Sequence, residues 1–155
     1  MENRVLVQKL DPGAVVPRYA HPGDAGADLA TMEDLDLAPG CRHVVGTGIA
    51  MAIPTGYAGF VYPRSGLAAR CGLTMVNSPG VIDAGYRGEI KVCLLNTDPH
   101  TTVHLKRGDL IAQIVIQAVE RAQIDLVEDL PDSVRGTGGY GSSGGVSAWQ
   151  DDDNE

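Results

Sequence analysis

No uninterrupted apolar run approaches the roughly 18 residues that a membrane-spanning helix requires, so no membrane partner is expected. The opening residues, MENRVLVQKLDPG, lack the apolar core and small-residue cleavage site of a secretory leader, which makes the cytoplasm the expected compartment. Cysteine is scarce. Cys41, Cys71 and Cys93 form no CxxC pair and are odd in number, so neither a zinc site nor a disulfide framework is supported. Reduced, buried, structural thiols are expected instead. Positive charge is also in deficit: 12 Lys and Arg stand against 20 Asp and Glu, for a net charge of −8. Without a basic footprint, non-specific binding to nucleic acid is excluded. The same deficit constrains any nucleotide ligand. A triphosphate carries roughly three to four negative charges near neutral pH. An acidic chain binds it by concentrating arginine locally, offering backbone N–H groups, or recruiting a divalent cation.

The chain has 155 residues, 43% of them hydrophobic, which suits one folded domain with a real core. Its 20 glycines and 9 prolines interrupt the sequence every few residues. Between them lie short β-branched runs: Val5 to Lys9, Val44 to Ile49, Tyr57 to Tyr62, Glu89 to Asn96 and Thr101 to Leu105. Such spacing predicts an all-β sandwich or barrel. In Glu89 to Asn96 the alternation has period two, with Ile90, Val92 and Leu94 on one face and Lys91 and Cys93 on the other. Leu110 to Val119 admits a helical stripe through Gln113, Gln117 and Arg121, but its β-branched residues favour a strand covered on both faces. A short helix is expected at Ser65 to Arg70, capped by its serine and stopped by Gly72. From Glu128 the composition changes. The expected organisation is a β domain over 1–130 and a flexible Gly/Ser-rich arm over 131–155.

Five segments carry residues of more than structural interest. GVIDAGYRGE (Gly80 to Glu89) places Asp83, Tyr86 and Arg87 among glycines on an expected β-hairpin. PRSGLA (Pro63 to Ala68) reads either as a plain helix start or as an anion site, where free N–H groups and a positive dipole join Arg64 and Ser65. DAGADL (Asp24 to Leu29) sets two carboxylates around a glycine, as turns also do. RGDLIAQ (Arg107 to Gln113) enters the apolar strand, where the Gln113 amide requires a partner once buried. RGTGGYGSSGG (Arg135 to Gly145) reads as a linker or as a glycine loop closing around anionic oxygens, with Ser142 and Ser143 adding donors. It ends in no Gly-Lys-Ser/Thr and is no Walker A loop. His100 and His104 are four apart, but in an expected strand, where that is not metal spacing. No Ser-His-Asp or Cys-His arrangement can be assembled.

In order and spacing the five segments closely resemble the motifs of the trimeric deoxyuridine triphosphatases, the dUTPases. AGADL (Ala25 to Leu29), PRSGLA, GVIDAGYRGE, RGDLIAQ and RGTGGYGSSG correspond to the family's first to fifth motifs. The resemblance implies a distorted jelly-roll β-barrel, a homotrimer with active sites shared between subunits, and cleavage of dUTP to dUMP and pyrophosphate with Mg2+. That reaction keeps uracil out of DNA and supplies dUMP for thymidylate synthesis. The resemblance also implies roles. Asp83 becomes the general base for water attacking the α-phosphorus. Tyr86 packs on the deoxyribose and leaves no room for a 2′-hydroxyl. Asn77 and neighbouring backbone read uracil, with further substrate contacts at Gly66, Gly80, Ile82 and Lys91. Arg64, Ser65 and Gln113 hold phosphate oxygens. Arg135, Ser142 and Ser143 clamp the γ-phosphate beside Gly141, while Tyr140 stacks on uracil. Asp28 orders the water shell of the metal or supports Asp83. Arg87 is then better read as structural, bracing the hairpin or the subunit contact.

The sequence departs from the family pattern at Tyr140, where Phe or His is usual, and at Leu110, where many members carry a basic residue. It also runs on past the fifth motif from Val146 to Glu155, a stretch that includes Trp149. Two other functions fit the same superfamily: a dCTP deaminase, alone or bifunctional, and a catalytically silent nucleotide-binding trimer. The intact Asp83 and the lack of an added glutamate suited to deamination favour dUTP cleavage.

Overall fold

Eleven short strands and one helix form among residues 4–139, which the computed structural model describes. In chain order the strands are β1 (Leu6–Lys9), β2 (Gly26–Ala30), β3 (Leu35–Leu37), β4 (Arg42–Gly46), β5 (Ile49–Ala52) and β6 (Tyr57–Pro63). The helix α1 (Ser65–Cys71) follows, and then β7 (Leu73–Met75), β8 (Gly80–Ile82), β9 (Lys91–Asn96), β10 (Val103–Leu105) and β11 (Leu110–Ala118). They pair as β1-β5, β10-β3, β2-β11-β6-β8 and β4-β9-β7, every pair antiparallel. Most of these neighbours are distant in sequence, as expected of a jelly-roll-like all-β fold. The chain divides into two units, Met1–Arg121 and Ala122–Glu155. All named elements lie in the first.

The core follows the alternation. Val92 and Leu94 of β9 are fully buried, as is the preceding Ile90, while Lys91 points outward. Leu29, Val45, Ile49, Val61, Leu73, Ile111 and Ile114 belong to the same buried cluster. The ambiguous segment is the central strand β11, flanked by β2 and β6. A register irregularity between Leu110 and Ala112 lets the consecutive Ile111 and Ala112 both be buried. Beyond it, Gln113 and Val115 line one cavity and Ile114 and Ile116 another, so both faces are used.

Four expectations need correction. The run Val44 to Ile49 is two strands, because Gly48 takes φ +66 and turns the chain, while the Thr47 hydroxyl donates to Ile90 O at 2.6 Å. The helix is real and Gly72 ends it in the left-handed conformation at φ 66, but Arg64 is the N-cap and no side chain caps it. Ser65 is already helical. The segment Gly80 to Glu89 is no hairpin: β8 pairs with β6 and β9 pairs with β4 and β7, so the loop between them crosses from one sheet to another. The cysteines are free, yet none is fully buried, and Cys41 is exposed.

Two carboxyls, exposed Asp34 and half-buried Asp98, are held below the usual carboxylate value, chiefly by backbone N–H donors: Arg107 for Asp34, and His100 with Thr101 for Asp98. A depressed folded value means stability present above the unfolded value and lost as pH falls through the folded one. Both loops therefore loosen in acid. In the second unit the described residues are exposed, and Arg135 closes a local turn by donating from Nε to Gly138 O at 2.8 Å.

Candidate active site

Three elements bring polar side chains to one cleft of about 680 Å³. Asp28 comes from β2, Gln113 from β11, and Arg64, Ser65 and Gly66 from the junction of β6 with α1. Antiparallel register sets Gln113 opposite Asp28 on one side and opposite Tyr62 on the other. Arg64 Nε meets Asp28 Oδ1 at 3.0 Å, and Arg64 Nη1 donates to Leu110 O at 3.3 Å. Gln113 Nε2 donates to Pro63 O at 3.2 Å, the partner its half-buried amide requires. Gly26 lies so close to that amide that a Cβ there would overlap it.

The ion pair decides what Asp28 does. Its side chain is only 15% exposed and shares its charge with a guanidinium, so it holds Arg64 in place rather than standing free toward solvent. Two of the arginine's N–H directions are thereby occupied, and the rigid fork of the guanidinium sets where Nη2 points. The first N–H groups of a helix have no intrahelical acceptor, so those of Ser65 and Gly66 remain available to an anionic ligand beside it.

A second group of residues surrounds the loop after β8. Asp83 is exposed where β8 ends, and its carbonyl accepts Tyr86 N at 3.0 Å. The Tyr86 hydroxyl donates to Glu89 O at 3.0 Å, and a Cβ on Gly88 would collide with that hydroxyl. Arg87 Nη1 donates to Ala84 O and Tyr86 O, both at 2.7 Å, so this guanidinium braces the loop from inside. Glu89 anchors the loop to the β4–β5 turn, accepting Gly48 N at 2.9 Å and facing Lys91 at 3.5 Å. Tyr86 is 44% exposed, offering a ring face fixed at its hydroxyl end. Gly80 is buried near exposed Asn77, and Ile82 packs on the core.

The chain therefore sorts its candidate residues into two places. The cleft holds Asp28, Arg64, Ser65, Gly66 and Gln113. Asn77, Gly80, Ile82, Asp83, Tyr86 and Lys91 are not among the residues that line it. Arg135 belongs to the second unit, and Tyr140, Gly141, Ser142 and Ser143 lie outside the described residues. His21 and Arg70, by contrast, line the cleft without having been singled out, beside Asp24 of the DAGADL segment. Arg70 was findable, since Gly66 and Arg70 are four apart on an expected helix and share a face.

Comparisons with known proteins agree with this architecture. The family model described as dUTPase matches residues 13–144. The deoxyuridine 5′-triphosphate nucleotidohydrolase of Thermobifida fusca is 67% identical over 145 residues, covering 94% of this chain and 81% of that protein. The protein of the same name from Nocardia farcinica is 60% identical over 141 residues, covering 91% and 86%. Among solved structures, the dUTPase of Staphylococcus bacteriophage 80alpha with dUPNHPP superposes with a TM-score of 0.83 at 29% identity, covering 92% of this chain and 99% of that one. A mutant dUTPase from phage phi11 of S. aureus, whose structure details the coordination of a structural Mg(II) ion, superposes with a TM-score of 0.75 at 28% identity, covering 82% and 98%. A match that runs through all five motif segments, on a fold that places an Arg64–Asp28 pair beside Gln113, means that the chain belongs to the dUTPase family.

Proposed function

We propose that this protein hydrolyses dUTP to dUMP and pyrophosphate, as a nucleotide-metabolising hydrolase. The observation that carries the reading is the pairing of a donor-lined cleft with a loop that does not line it and whose Asp83 carboxylate makes no ion pair among the described residues. Water is the nucleophile. Asp83 accepts its proton as the oxygen attacks the α-phosphorus, the bond from that phosphorus to the bridging oxygen breaks, and pyrophosphate leaves. Chemistry of this kind depends mainly on positioning and charge stabilisation. Arg64, the Ser65 and Gly66 N–H groups and Gln113 hold phosphate oxygens in the cleft. Tyr86 packs against the deoxyribose, and Asn77 with the backbone at Gly80, Ile82 and Lys91 takes the base. Arg135 belongs with the residues that close on the γ-phosphate.

Mg2+ suits this donor set. The cation prefers one or two carboxylates plus substrate phosphates and retained waters, and Asp28, with one oxygen on Arg64, is an oxygen donor in the phosphate cleft. When bound it neutralises charge developing on the phosphates. Asp28 would act on it through water. Because the cleft and the Asp83 loop are separate within one chain, we assign them to different subunits of a homotrimer, where one chain's loop meets another's cleft. The cytoplasm suits this activity, and no described helix is long and apolar enough to cross a membrane.

The deciding experiment is pyrophosphate release from dUTP, dCTP, dTTP and UTP side by side. Release from dUTP alone is expected, UTP being rejected by contact of its 2′-hydroxyl with Tyr86. Ammonia from dCTP would instead indicate a deaminase, and binding of a non-hydrolysable dUTP analogue without turnover a silent binding module. Asp28→Asn should lower kcat/KM for dUTP by about 10- to 100-fold through misplacement of Arg64, with little change in melting temperature. An unchanged kcat/KM would remove Asp28 from that role.

A further inference from the structure

The cleft holds one cation to which the mechanism above gives no task. Arg64 is committed to Asp28 at 3.0 Å, and His21 faces Asp24 at 3.5 Å. Arg70 sits in the last turn of α1, lines the same cleft, and makes no ion pair among the described residues. It stands one turn beyond Gly66 on the same helix face, about 6 Å along the axis at 1.5 Å per residue, within reach of an arginine side chain.

Charge makes this position consequential. With His21 neutral, Asp24 and Asp28 balance Arg64 and Arg70 in the cleft, two against two. Without Arg70 the cleft becomes net negative, on a chain whose overall charge is −8. A polyphosphate entering such a cleft would meet repulsion, since Arg64's charge is already shared with Asp28. A basic residue in the last helical turn also complements the helix dipole, a contribution of about 0.3–1 kcal/mol that requires no ligand. The dipole alone leaves the charge balance of the cleft unexplained.

We propose that Arg70 binds the polyphosphate part of the substrate and is the cation that makes the cleft attractive to it. The donors that line this cleft, Arg64, Ser65, Gly66 and Gln113, are the ones assigned to phosphate oxygens, so its occupant is the phosphate part of the substrate. Arg70 therefore discriminates triphosphate from monophosphate: it holds dUTP and the pyrophosphate product, and ignores dUMP. The inference rests on the dUTP-hydrolysis reading but can fail separately from it.

The test uses the full-length chain with Arg70→Gln and Arg70→Lys. Arg70→Gln should raise KM for dUTP about tenfold, as loss of a charge-assisted hydrogen bond does, with kcat within about twofold. Inhibition by inorganic pyrophosphate should weaken by a similar factor, and inhibition by dUMP should not change. Arg70→Lys should recover most of the loss, and the difference from wild type should shrink at 1 M salt, where the screening length is about 3 Å. Unchanged KM and pyrophosphate inhibition in Arg70→Gln would overturn the proposal. Equal weakening of dUMP and pyrophosphate, with a lowered melting temperature, would overturn it too by showing a structural role. If the wild-type chain released no pyrophosphate from dUTP, the functional reading would fall, and calorimetric titration with inorganic pyrophosphate would still decide whether Arg70 binds it.

Discussion

Asp83→Asn is expected to lower kcat for dUTP by on the order of 10²–10⁴ while leaving affinity for a non-hydrolysable dUTP analogue nearly unchanged. The size of the effect follows from what the substitution leaves alone. Asparagine has the same shape and still offers an oxygen to a water molecule, but it cannot take the proton. Asp83 is exposed, and neither an ion pair nor a side-chain hydrogen bond engages its carboxylate among the described residues. The loop is held by other groups: Arg87 on Ala84 O and Tyr86 O, Tyr86 on Glu89 O, and Glu89 on Gly48 N. Removing the charge at position 83 therefore leaves the loop standing. Single-turnover pyrophosphate release and analogue titration together check the split. A rate within threefold of wild type would take Asp83 out of the role of base, whatever the affinity did.

Asn96→Ala carries the largest expected effect on stability. Asn96 is fully buried at 0% exposure. Its Nδ2 donates to Leu37 O at 2.9 Å and Thr101 O at 2.8 Å, and its Oδ1 accepts Asp98 N at 2.9 Å. One amide thus joins the end of β9, the end of β3 and the loop leading to β10. Truncation removes one buried and two part-buried hydrogen bonds, each lost bond costing about 1–3 kcal/mol where its partner is buried and less where water replaces it. A net loss of roughly 3–5 kcal/mol is expected after local relaxation, which at about 2–4 °C per kcal/mol for a chain of this size lowers the melting temperature by roughly 6–20 °C. Thermal unfolding at fixed protein concentration measures it. A fall under about 3 °C would mean that water or a shifted loop supplies the missing bonds.

Asn96 also shows where local pattern stops being informative. It lies on the inward face of β9 by period two, so its burial follows from Val92 and Leu94. Its partners do not, since Leu37 is 59 residues away in sequence. β11 is the opposite case: β-branched residues identified a strand, and pairing with β2 and β6 occupies both of its edges. The helix at Ser65 was legible from its glycine stop, but its N-cap was not, because Arg64 occupies that position with no side-chain hydrogen bond. The Gly80 to Glu89 segment announced its chemistry through Asp83, Tyr86 and Arg87, while its shape was misjudged as a hairpin. Tight turns of Gly and Asp look alike whether the next strand pairs back or crosses to another sheet.

By itself, then, the sequence determined the alternation of strands and turns, the family through five ordered motifs, and the residue types a phosphate ligand needs. Those properties are local: period, turn chemistry and motif spacing are written in neighbouring residues. Only the tertiary structure decided that Asp28 serves Arg64, that Arg70 lines the same cleft, and that no residue of the Asp83 loop lines it. Each of these depends on which strands become neighbours through non-local antiparallel pairing, and a half-buried charge can be assigned a role only once its partner in space is known.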